Sequence, residues 1–500
     1  MSRHPGAWTA LVVAVCLAAA TAGCGMTQIP AQDNSPAADE SAEQPAAETP
    51  VERDAPAEEK VATAPPEGNL WTRQEGADWG PFLGPTGDGK SPEKGILAPW
   101  PDGGLKTIWE KKLGTSYGAP AISQGRLYQF DRFGRMARVY CLKAETGEEL
   151  WRYEYPTDYE DYYGYNNGPR CSPVVDGDRV YAYGAEGMLV CLNAITGKLV
   201  WKVDTAKDFG VVKNFFGVGS NPVVEGDLLL VMVGGSPPGT IDVFRAVGNG
   251  SGIVAFDKTS GEVKYKITDE LASYASMKTA TLAGRRFGLA FCRGGLVGFE
   301  PATGKVDFHF PWRALNPESV NASLPVVAGN EVFISETYGP GSALLSVAPG
   351  KCDVVWQDDQ RKRFKAMQTH WNTPIEVDGY LYASSGRHLN EAELRCIEWQ
   401  TGDIQWSEPD LTRASLTYID GHFLVLGEIG NLLLVKANPR KYELVSEMNL
   451  APRPAGIAGE GSTARDLPGD PFWAAPVVSH GLLYIRGGGK LRCLELIPRK

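Results

Sequence analysis

A Thr-Gly or Ser-Gly pair followed, four residues after the Gly, by a large aromatic recurs along this chain. It is found as Thr146-Gly147 with Trp151, Thr196-Gly197 with Trp201, Ser260-Gly261 with Tyr265, Thr303-Gly304 with Phe308, and Thr401-Gly402 with Trp406. A phrase that returns at intervals of roughly 40 to 60 residues means that one supersecondary unit is repeated, which constrains the fold more tightly than any single segment does. Within a unit, a small residue and a Pro open an apolar run, a polar turn follows, and a second run comes next. Ser172-Pro173-Val174-Val175, Asp176-Gly177-Asp178 and Val180 to Tyr183 are one instance. A third, alternating run (Leu189 to Leu192) and the Thr-Gly turn lead to a fourth that ends at Trp201. Four short runs bounded by Gly, Asp, Asn and Pro predict an antiparallel meander, one blade of a propeller.

Unit openings fall at Pro120, Pro173, Pro222, near Thr279, and at Pro325, Pro374, near Leu416 and Pro476, so eight blades are expected. The eighth unit stops after Leu491 to Leu496 without its fourth strand, while Thr107 to Leu113, with Trp109, precedes the first opening as a strand without a blade. Pairing the two closes the circle and removes the free sheet edges that invite aggregation. The expected fold is therefore all-β: an eight-bladed β-propeller of four-stranded antiparallel blades over 107–500, closed by an N-terminal strand on the last blade. Trp109, Trp151, Trp201, Tyr265, Phe308, Trp356 and Trp406 are the aromatics expected to dock blade on blade. The 58 Gly and 35 Pro supply turns, and no stretch has the period of a long amphipathic helix.

Residues 1–23 read as a secretory signal, with Arg3 ahead of the apolar stretch Ala7 to Ala20. Thr21-Ala22-Gly23-Cys24 is similar to a bacterial lipoprotein site, which would make Cys24 the lipidated first residue; cleavage after Ala22 at an Ala-x-Ala site is the alternative. Residues 24–68 are rich in Pro, Ala and Glu without apolar periodicity and read as a disordered tether. Ten acidic and two basic side chains between 31 and 68 put −8 of the chain's −11 there, so the propeller itself is close to neutral and nucleic acid is not an expected partner. Residues 69–106 form a lead-in to the blades.

Seven Cys follow Cys24. Cys141, Cys191, Cys396 and Cys493 share one phase of the repeat, which places them in different blades, too far apart for disulfides, so buried structural thiols are expected. No phosphate loop, His-Glu-x-x-His or Gly-x-Ser-x-Gly elbow occurs. Gly84-Pro85-Thr86-Gly87-Asp88-Gly89 lacks the spaced carboxylates of a calcium loop and reads as a turn. No catalytic or metal residues are assigned.

The first strand of each propeller blade lines the central channel, so residues just before each opening ring one mouth of it. These are Tyr117, Asn166, Asn167, Arg170, Phe216, Asn221, Tyr274, Lys278, Asn321, His370, Trp371, Asn372, Arg413 and Trp473, with Arg361, Lys362, Arg363 and Lys365 nearby. Aromatics, amides and cations converge and carboxylates are scarce, which points to an anionic or aromatic ligand, or to a partner surface.

The runs Ala144 to Trp151 (AETGEELW) and Asn193 to Trp201 (NAITGKLVW) resemble the tryptophan-docking motif of PQQ-type (pyrroloquinoline quinone) propeller repeats over about 107–500, and Trp79 to Phe82 with Gly84 to Gly89 resembles the lead-in of exported members. The resemblance implies one of two functions. Quinoprotein dehydrogenases imply calcium, an Asp base, an aromatic under the quinone and often a vicinal disulfide; no two Cys are adjacent here and none of these roles maps onto the mouth residues. The propeller lipoproteins of the outer-membrane β-barrel assembly machinery imply a non-catalytic scaffold. The sequence therefore predicts an exported, lipid-anchored, monomeric binding or scaffold module of the cell envelope or periplasm, without cofactor. Its expected partners are an envelope protein or an anionic or aromatic ligand at the mouth. The alternative is a PQQ-dependent alcohol or sugar dehydrogenase, with PQQ and calcium as cofactors.

Overall fold

Eight sheets account for the secondary structure in the computed structural model, which describes residues 67–213, 215–316, 321–451 and 470–499. The signal segment, Cys24 and nearly all of the tether lie outside the described residues. Seven blades are continuous antiparallel meanders, at 121–156, 174–204, 223–267, 278–311, 326–357, 375–408 and 414–449. The eighth joins Val477–Ser479, Leu482–Gly487 and Lys490–Glu495 to Thr107–Lys112, with Trp109 opposite Cys493. The sequence expectation for ring closure holds in register. Among the described residues the one α-helix is Thr205–Phe209, capped by the Asp204 carboxylate and ended by Gly210 at φ 71°.

The apolar runs are continuous because each blade is covered on both faces, so successive side chains of one strand enter different cores. In blade 1, Leu127 packs toward blade 8, whereas Tyr128 and Phe130 pack toward blade 2. The same division recurs around the molecule, giving one cluster per pair of neighbours and a last one between blades 8 and 1.

The repeated phrase is the visible part of this interface. The Trp151 indole donates to Ala194 O of the next blade at 3.0 Å, Trp109 to Ala144 O at 2.9 Å, Trp201 to Lys258 O at 3.2 Å, and Trp406 to Asn438 O at 2.9 Å. The ring lies on the Gly of the next blade's turn: a Cβ at Gly197 would sit 2.5 Å from Trp151, and one at Gly147 2.8 Å from Trp109. Trp356 repeats the arrangement on Gly402 and Trp399 O, and the Tyr265 hydroxyl replaces the indole with a bond to Pro301 O. Phe308 packs in the blade 4–5 core and has no group to donate. Cys141, Cys191, Cys396 and Cys493 lie directly opposite the docking Trp on the neighbouring strand, a position that Leu344 takes opposite Trp356 in blade 5. All four are buried and free, and burial pushes the thiols up, to about 12 for Cys191 and Cys396, so they stay protonated.

Blade 7 departs from the pattern. Ser446 stands opposite Leu434 where an aromatic is expected, and its hydroxyl accepts from the Trp100 N–H at 2.9 Å. Buried Trp100 from the lead-in completes the blade 7–8 core together with Leu105.

The lead-in does more than approach the ring. Trp79 exchanges backbone bonds with Ile122 of blade 1, and Gly80 O accepts from Val175 of blade 2. The Lys278 ammonium of blade 4 binds Thr86 O and Gly87 O, each at 2.7 Å. Lys90–Ser91 then pairs in parallel with the first strand of blade 7, and the Glu93 carboxylate accepts from His480 and Gly481 of blade 8 at 2.7 Å. Blades 4 and 8 are opposite in an eight-membered ring, so the segment crosses the channel. Gly84 to Gly89 is a turn within it, with Gly87 N on Gly84 O and Gly89 N on Leu83 O.

Candidate functional site

The two ends of the ring differ. Turns between first and second strands and between third and fourth strands lie at one end, and none exceeds seven residues. The strand ends that bound the connections 157–173, 205–222, 233–252, 312–325, 358–374 and 450–476 all lie at the other. Loops of this length on a rigid scaffold are where binding residues concentrate. Beneath them lies a cavity of about 400 Å³, floored by Phe82 and Leu83 of the crossing segment.

Ten of the residues read from sequence line it: Tyr117, Arg170, Phe216, Asn221, Tyr274, His370, Trp371, Asn372, Arg413 and Trp473. Asn166 and Asn167 border a neighbouring depression with Arg132, Phe133 and Asp470. Lys278 is turned to the crossing segment, and Asn321 is buried with its amide on Cys292 O at 2.7 Å. Arg361, Lys362 and Arg363 are exposed and away from the cavity, while the Lys365 ammonium is bonded to Asp359 O.

The expected shortage of carboxylates at the mouth is corrected by the structure. Buried Asp161 pairs with Arg170 and also accepts from Tyr163 N and Tyr165 N. Buried Glu428 holds Arg413 through two bonds, of 2.8 and 2.6 Å, and accepts from the Trp473 indole at 3.0 Å. Asp470 pairs with buried Arg486 and accepts from Asn166. These acids come from loops between strands, whose approach to the channel leaves no periodic mark in sequence. The two mouth arginines singled out from sequence therefore carry neutralised charge. An isolated buried cation is too costly to keep, so the acids are what allow them to be there.

Tyr117, Trp473 and Trp371 form a continuous aromatic wall, with ring centroids 4.6 and 4.7 Å apart. Arg170 lies 4.8 Å from the Tyr117 centroid and Arg413 4.5 Å from that of Trp371, so cations cover these faces. His370 lies between the Tyr338 hydroxyl at 3.0 Å and Arg413 at 3.3 Å. Burial, then Arg413 and Arg387, hold its imidazole well below the usual range, so it is neutral. Sequence reading missed Tyr338, Arg387 and His388, which line the same cavity from second-to-third-strand loops. A rule that inspects only residues ahead of each first strand passes over them. Among the described residues no cluster of His, Cys, Asp or Glu is placed to hold a metal ion.

Comparison with known proteins agrees with this fold. Stretches of the chain are similar to quinone-dependent alcohol dehydrogenases: 27% identity over 155 residues to PedH of Pseudomonas putida, covering 28% of this chain and 23% of that protein. The dehydrogenase subunit of Gluconobacter oxydans is 34% identical over 108 residues, 21% of this chain and 14% of that one. The match thus spans about a quarter or less of the length of these curated relatives. Among solved structures, BamB from Moraxella catarrhalis superposes with a TM-score of 0.53 at 14% identity, over 79% of this chain and 99% of that one. The quinohemoprotein alcohol dehydrogenase of Comamonas testosteroni gives 0.54 at 13% identity, over 85% and 81%. Both share the fold. A family model matches residues 101–161 and 157–408, more than half of the sequence, and the chain belongs to the family described as outer membrane protein assembly factor BamB.

Proposed function

We propose that this chain is a non-catalytic binding propeller of the cell envelope that serves outer-membrane protein assembly, held to the membrane by a lipid on Cys24. One observation carries the reading. The long loops leave the blades at one end of the ring, over a cavity whose lining carboxylate, Asp88, accepts from Thr86 and Lys90, while the acids that pair with its arginines, Asp161 and Glu428, have both oxygens bonded to guanidinium and N–H groups. A calcium ion requires several free hard oxygens, and a general base a free carboxylate. Asp161 and Glu428 offer neither, and Asp88 alone supplies too few oxygens, so the donor set does not fit a calcium-held quinone, whereas it fits a rigid mouth that presents loops to a partner.

The loop tips support the same reading: Ile241 is 94% exposed and Leu315 99%. Isolated apolar side chains raised on long loops are suited to insertion into a partner's pocket. The test is affinity capture from detergent-solubilised envelopes with the wild type and with Ile241→Asp/Leu315→Asp. The variant should unfold within about 0.5 kcal/mol of the wild type, because both sites are exposed, and should lose its captured protein. Unchanged capture overturns the proposal. The quinone-dependent relatives justify a control in which the protein is titrated with the quinone and calcium. Saturable binding with dye-linked alcohol oxidation would favour a dehydrogenase instead.

A further inference from the structure

The cavity changes character with depth. Its floor is Phe82 and Leu83, with Asp88 of the same segment at its edge, and Leu324, Ile375 and Leu416 give the wall apolar surface near the starts of the first strands. At the rim, on the blade 6 loop 386–392, Arg387 and His388 face the same space. Arg387 differs from Arg170 and Arg413. Its guanidinium lies 4.4 Å from the Tyr338 centroid and, among the described residues, forms no salt bridge. The Trp371 indole N–H beside it is buried without a hydrogen-bond partner. His370, held neutral by burial and then by Arg413 and Arg387, adds no charge here, and the carboxylate lining the cavity, Asp88, lies on the crossing segment. The faces of Tyr117 and Trp371 already carry guanidinium groups, which disfavours a flat ring stacked on this wall.

We propose that the cavity takes an unbranched amphiphile, with its alkyl chain descending to Phe82 and Leu83 and an anionic head, carboxylate or phosphate, at Arg387 and His388. A cavity of about 400 Å³ is of the size that encloses a small organic ligand, on the order of a dozen chain carbons. The inference rests on the reading of the mouth as a binding surface and names the ligand class for it.

The full-length protein is titrated with dodecanoate, dodecyl phosphate and dodecanol, each below its micelle concentration, and followed by tryptophan emission and calorimetry. One saturable site is expected for at least one anion, with dodecanol weaker by about tenfold or more, the effect of one charge-assisted contact. Whichever anion binds tighter distinguishes a fatty-acid site from a phosphate-head site. Arg387→Gln should reduce the anion to the dodecanol level. A carboxylate series on the wild type, from eight to sixteen carbons, should peak near twelve and does not depend on the variant's folding. Three outcomes overturn the proposal: no saturable binding of either anion, equal affinity for alcohol and anion, or affinity that keeps rising through hexadecanoate. Failure here with envelope capture intact removes only the ligand class, whereas failure of both removes the mouth as a binding surface.

Discussion

Gly197 lacks a side chain because the Trp151 ring occupies the space a Cβ would need, and its φ of 70° adds a backbone reason. Gly197→Ala should therefore lower stability by about 2–4 kcal/mol through strain and overpacking together, measured as a shift in the denaturant midpoint. Gly177→Ala is the control, since its Cβ meets nothing and only the φ penalty of about 1 kcal/mol remains. Glu186 tests the electrostatics. Its carboxylate is buried, accepts from the Tyr155 hydroxyl at 2.7 Å and from Thr157, and burial raises its pKa. A carboxyl raised by folding stabilises fully below its ordinary value and loses that contribution as pH rises through the folded value. Glu186→Gln, which keeps the acceptor, should raise the thermal midpoint at pH 8 and leave it unchanged near pH 4. At this scale the docking phrase was legible because its parts lie within a few residues of one another. The ion pairs of Arg170 and Arg413 were not, because their partners, Asp161 and Glu428, arrive on loops whose paths have no period.

Among elements, the blades were legible one by one because each repeats a short pattern of turns and apolar runs. Blade 7 shows where this stops. Its missing aromatic is replaced by Trp100, 346 positions from the Ser446 that receives it, and no local pattern signals a substitution made from elsewhere in the chain. Trp100→Ala should cost about 3–5 kcal/mol, as for a large buried aromatic, and hydrogen exchange should quicken first in blades 7 and 8. The crossing segment was read only as a lead-in; its course follows from side-chain hooks such as Lys278 and Glu93, which no periodicity announces.

For the molecule as a whole, the eight-fold count followed from eight unit openings, and closure from a fourth strand missing in the last unit and a spare one ahead of the first. Deleting residues up to Lys112 should lower the denaturation midpoint for the entire propeller and promote concentration-dependent association, seen by light scattering, since blade 8 then presents an open edge. The placement of all long loops at one end was not legible, because strand direction must be known before an end can be assigned. The segment that threads from blade 1 to blade 8 turns what would be a tunnel into a cup. With Phe82 and Leu83 as its floor, the cup opens toward the long loops, so its contents would leave past the same loops proposed to dock a partner. A docked partner would then act as a lid, and release of the contents would wait on its departure.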